Sequence, residues 1–111
     1  MIKKEKVWYG ARTAYRVLIA TEKPGYQLYE DRIIVLQAIS FDKAIQEAEM
    51  EATSYAKTAG CKYLGFVSVF QLFTKDISNK TEVYSLMRDS KLSEEKYLDR
   101  YFDTGKERTK R

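Results

Sequence analysis

The sequence predicts an α+β two-layer sandwich: a four-stranded, mainly antiparallel sheet, element order ββαββα along the chain, with the main helix packed on one face. Three observations carry this. Apolar and polar residues alternate with period two over residues 7–19. The period lengthens to three- and four-residue steps after Ser40. Extended apolar stretches return at residues 62–73 and 81–88.

The first strand, VWYGARTAYRVLI, places Val7, Tyr9, Ala11, Thr13, Tyr15 and Val17 on one side and Trp8, Gly10, Arg12, Ala14 and Arg16 on the other. One face suits a core, and the other sets Arg12 and Arg16 in a row with Trp8. EKPGYQ supplies a turn, because Pro24 fixes φ and Gly25 accepts positive φ. YEDRIIVLQAI, residues 29–39, is the second strand and pairs with the first as a hairpin. Its apolar centre, residues 33–36, predicts burial on both faces there.

Ser40 is a good N-cap, Asp42 suits the positive end of the helix dipole, and Gly60 is a C-terminal stop. Between them Phe41, Ala44, Ala48, Ala52, Tyr55 and Ala56 form an Ala-rich stripe that admits close approach to a sheet. KYLGFVSVFQLF, residues 62–73, has large apolar residues on both faces and so predicts a central strand. DISNK turns the chain into a fourth strand at residues 81–88. Ser93 then caps a second helix whose stripe is Tyr97, Leu98, Tyr101 and Phe102, with Gly105 as its stop.

At 111 residues the chain is sized for one domain, residues 7–105, with basic ends at 1–6 and 106–111. The formal charge is +4. The first six residues contribute +2 and residues 104–111 contribute +3, which leaves the body at −1. A single Cys forms no internal disulfide, and the N-terminus has no apolar run of signal-peptide type, so a cytoplasmic protein is expected.

Most catalytic chemistry finds no footing. The chain has no His, which removes the usual neutral-pH base and His-based metal sites. Cys61 lacks an evident activating base and reads as a small apolar residue at a helix–strand junction. Glu47 and Glu51, and Asp99 and Asp103, stand four apart on helices. The first pair reads as a solvated face, and the second as part of a helix terminus with Asp103, Thr104 and Gly105 in the turn. Neither has a third ligand at motif spacing. No Gly-rich phosphate loop is present, and no cofactor or metal is expected.

Taken together, YEDRIIVLQAISFDKAIQEAE, YLGFVSVFQLF and EVYSLMRDSKLSEEKYLDRYFDTG resemble the bacterial domain-of-unknown-function family 4288. The likeness runs from about Trp8 to Gly105. Its most specific part covers Arg88, Asp89, Ser90, residues 97–100 and residues 102–105, with Tyr101 where the pattern has Phe. The resemblance implies a bacterial or phage origin and a single domain, and it implies no activity.

The expected function is therefore a non-enzymatic protein-binding module, in its concrete versions a toxin-neutralising immunity protein or a homodimeric adaptor. Trp, Tyr and Arg dominate interface energetics, which makes Trp8, Arg12, Arg16, Arg32, Tyr97, Arg100 and Tyr101 the partner-binding candidates. Arg88, Asp89, Asp99 and Asp103 are motif residues without an assigned role. The alternative is a nucleic-acid-associated accessory protein. It would attract phosphates through Lys106, Arg108, Lys110 and Arg111 and present Trp8, Arg12 and Arg16, with Arg32 beside them, as a platform. No membrane partner is expected.

Overall fold

The computed structural model describes residues 5–19, 23–105, 108 and 110. The chain forms β1 (Val7–Val17), β2 (Leu28–Ala38), α1 (Phe41–Ala59), β3 (Cys61–Gln71) and α2 (Glu94–Tyr101). The three strands make one antiparallel sheet of order β2-β1-β3.

The β1–β2 hairpin forms as the alternation requires, in an unbroken register from Val7 opposite Ala38 to Val17 opposite Leu28. In its connection the Tyr26 amide donates to the Lys23 carbonyl and Gly25 has φ 82°, a conformation that a side chain would oppose. Helix α1 then carries the chain over one face and delivers β3 to the other edge of β1. β2 and β3 thus run parallel to each other with β1 between them.

The core lies between α1 and the odd-numbered residues of β1. Ser40 caps α1 by accepting from the Lys43 amide, and Gly60 closes it in the left-handed conformation. Ala44, Ala48, Ala52 and Ala56 are all buried. Small side chains let the helix sit close, and the space is filled from the sheet by aromatic rings. Tyr15 packs with Ala52, Ala56 and Cys61, while Tyr9 packs with Ala38 and Ala44. Edge-on ring contacts of Tyr15 with Tyr55 at 5.1 Å and of Tyr9 with Phe41 at 5.0 Å tie the helix down. Cys61 is a buried free thiol at the α1–β3 junction.

Four expectations are corrected. The sheet has three strands, not four: residues 81–88 form no strand. Alternation describes an extended chain whether or not a free strand edge is aligned beside it. Here the turn at residues 78–81, with the Ser78 amide on Thr81 Oγ1 at 2.8 Å and Lys80 at φ 67°, sends the chain along another course. Its attachment is by side chain, Tyr84 meeting Phe70 edge-on at 5.5 Å.

The central strand is β1, not β3. Gly10, Ala11, Thr13 and Ala14 give it the slim profile that suits a middle position, and β3 lies at an edge. The apolar centre of β2 is likewise open on one side, where Ile33 is 45% exposed and Val35 39%.

The fourth correction concerns α2, which is capped by Ser93 as expected but ends at Tyr101, short of Gly105. It has no buried residue, and none of its Cα atoms comes within 8 Å of the sheet or α1. Its aromatic stripe therefore does not close this domain's core. The radius of gyration is 17.3 Å, against about 13 Å for a packed domain of this length. No helix among the described residues is long and apolar enough to cross a membrane.

Candidate functional site

Two surfaces gather the sequence-predicted residues. The first is the sheet face turned away from α1. Strand register assigns it Trp8, Gly10, Arg12, Ala14 and Arg16 from β1, Ile33 and Val35 from β2, and Ser68 and Phe70 from β3. The β1–β3 register shifts between Thr13 and Tyr15, where Gly65 adopts φ 77° within a bulge. Leu64 and Phe66 flank that glycine, 43% and 54% exposed. An exposed apolar field thus spans both edge strands.

Arg12 and Trp8 on this face are held in place. Arg12 donates to Asp31 across the hairpin at 2.8 Å, and that bond raises its pKa further. The Trp8 indole donates to the Lys75 carbonyl at 3.1 Å, which anchors the loop after β3. Arg16 stands between Tyr29 and Lys62 in register. The ring of Phe70 lies over Gly10, in the space that a Cβ there would take. Glycine at this position therefore lets the aromatic ring cover the middle strand and meet Tyr84.

Arg32 does not join this platform. Paired with Thr13, it points to the opposite side of the sheet and forms a two-pronged ion pair with Glu51 at 2.8 and 3.0 Å. The same guanidinium donates to the Tyr15 hydroxyl at 3.1 Å and lies 3.6 Å from the Tyr55 ring centre. The hydrogen bond to Glu51 holds it protonated well beyond the ordinary Arg range. Sequence reading missed this cluster because its members lie on β1, β2 and α1. It also corrects the solvated reading of Glu51: the carboxylate clamps the helix to β2.

Around the cluster, Tyr55 donates to Glu30 at 2.6 Å and Tyr63 to Glu49 at 3.3 Å. The Glu30 bond pushes Tyr55 up to about 12, while burial, followed by Glu49, pushes Tyr63 up to about 12. Both groups keep their proton longer in the folded chain than at the unfolded value near 10. Their stabilisation is accordingly complete below pH ~10 and disappears as pH rises through about 12. Tyrosinate absorbance should show Tyr55 and Tyr63 ionising later in native protein than in urea, with stability falling across that window. A native titration of Tyr55 and Tyr63 at their unfolded values would contradict the geometry.

The second surface is the arm formed by residues 81–105. Arg88 organises it, donating to the Tyr97 hydroxyl at 3.0 Å and lying 4.3 Å from the Tyr101 ring centre. Tyr97 in turn contacts Tyr101 at 4.9 Å and Phe102 at 5.9 Å. The cation–aromatic stack holds the stripe against the preceding segment, which gives the motif residue Arg88 a structural task. Arg100 lies 5.6 Å from the Tyr101 ring, and Asp89 and Asp99 are exposed while Asp103 is half-buried. Among the described residues, no group of three or more acidic, Cys or His side chains gathers as a metal site. Arg108 and Lys110 are exposed, and Lys106 and Arg111 lie outside the described residues.

No family model, curated protein or solved structure matches this chain.

Proposed function

We propose that the protein is a non-enzymatic binding module that engages a protein partner through the outer face of its sheet. The observation that carries this is the apolar field of Ile33, Val35, Leu64 and Phe66, exposed across two edge strands beside an arginine-bearing central strand. Protein surfaces seldom leave such a field open unless something covers it. Trp8, Arg12 and Arg16 frame it with the residue types that anchor interfaces. The likeness to family 4288, with its bacterial or phage origin, forms part of the proposal on the motifs quoted above, and so does a cytoplasmic setting. Immunity-type blocking and adaptor roles both use a surface of this kind.

A photoreactive residue at position 66, introduced in cells that express the full chain, tests the reading. Discrete protein adducts are expected there, and they should disappear when Val35→Lys is added on the same face. The same probe at exposed Ser54 on α1 should give none. Absence of adducts at position 66 would overturn the proposed function.

A further inference from the structure

We infer that the partner of this face includes a second copy of the chain, with the C-terminal arm, residues 81–105, of each copy laid across the outer sheet face of the other. This rests on the binding-module reading and specifies its occupant.

Several features favour the arm as the occupant of the face. Both expose apolar side chains within one chain. Leu86, Met87, Leu98, Tyr101 and Phe102 are exposed on the arm, and Ile33, Val35, Leu64 and Phe66 on the face. Their charges are also opposite. The outer face carries Arg12, Arg16 and Lys62 against Asp31, net +2, whereas the arm carries six carboxylates against four basic side chains, net −2.

The exposed area is the third feature. The chain presents 9565 Å² to solvent, against about 6,300 Å² for a compact monomer of its 13.0 kDa mass. The excess of roughly 3,200 Å² per chain exceeds the ~800 Å² that each partner buries in a standard interface and leaves room for the larger interfaces of obligate dimers.

The arm also begins in the right place. Tyr84 meets Phe70, whose ring lies over Gly10 of the central strand, so the arm starts on the outer face of its own body, next to the surface it would cover on the neighbour. Reciprocal docking makes both contacts identical and closes the assembly as a two-fold dimer, with no open-ended growth.

Light scattering of the full chain should give about 26 kDa, twice the 13.0 kDa chain mass. Phe66→Glu on the face and Met87→Glu on the arm should each weaken self-association at least tenfold. Both side chains are exposed, so unchanged circular dichroism and Tm are expected to verify folding. Mixing the two variants should restore a dimer, because one intact arm and one intact face remain. A photoreactive residue at position 66 should mark residues 81–105 of an isotopically distinct second copy.

A chain that remains monomeric, or one whose dimer is indifferent to both substitutions, overturns the inference. Adducts confined to residues 81–105 of the same copy overturn it too, in favour of the arm folding back. If the chain is monomeric while position 66 labels a different protein in cells, only the second-copy assignment falls. Failure of every adduct at position 66 removes the binding-module reading as well.

Discussion

Replacing Tyr15 with Ala should destabilise the fold by ~3–5 kcal/mol, the cost of deleting a large aromatic side chain from a packed core. Tyr15 is fully buried and is the joint of the structure. Its ring meets Tyr55 at 5.1 Å and Tyr63 at 5.8 Å, and its hydroxyl joins Thr13 Oγ1 at 2.7 Å and the Arg32 guanidinium at 3.1 Å. Domains of this size are stable by only ~5–15 kcal/mol, so the variant should lose a large share of its stability. At roughly 4 °C per kcal/mol, Tm should fall by about 12 °C or more. Tyr15→Phe separates ring from hydroxyl. It should cost only about 1–3 kcal/mol, since the cavity stays filled while Thr13 loses a buried hydrogen-bond partner. Denaturant unfolding of the two variants checks the ordering, and equal losses would refute this division of roles.

Ala48→Leu should produce the second large effect, by overfilling instead of emptying. Ala48 is fully buried in the stripe by which α1 lies on the sheet. Three added carbons have no space there unless the helix lifts. Overpacking of this kind costs ~1–3 kcal/mol, and more where backbone must move. Leu has good helix propensity, so weakened local helix formation cannot account for the loss. Met50→Ala on the exposed side of the same helix should remain within about 0.5 kcal/mol of the parent. Thermal denaturation of the pair distinguishes the two sides of α1, and a neutral Ala48→Leu would show that the helix is not closely seated.

These two sites were legible to different degrees beforehand. The Ala stripe of α1 could be read from spacing alone, together with the caps Ser40 and Gly60, because helix periodicity and capping are local properties of consecutive residues. The odd-numbered face of β1 was legible for the same reason. The junction of Tyr15, Arg32, Tyr55 and Glu51 was not, since its members come from three elements that only packing brings together. Arg32 illustrates this most clearly. Its strand could be predicted, but the side of the sheet it faces depends on the register with β1.

The same distinction explains the corrections at the C-terminal end. TEVYSLMR has the alternation of a strand, but a strand also requires a free edge aligned beside it, and the turn at residues 78–81 does not supply that alignment. The stripe of α2 identifies an apolar surface without saying what it meets. In the fold that stripe packs on Arg88 and on its own aromatic neighbours, away from the main core.

The sequence by itself determined the first two strands, the Ala-faced helix with both caps, the third extended segment and the capped second helix, because each depends on residues within a few positions of one another. Tertiary structure alone decided the strand order, the central position of β1, the ion pair of Arg32 with Glu51 and the exposure of the outer sheet face. Those outcomes depend on contacts between residues far apart in the chain, where backbone pairing and close packing choose among arrangements that local periodicity leaves equally acceptable.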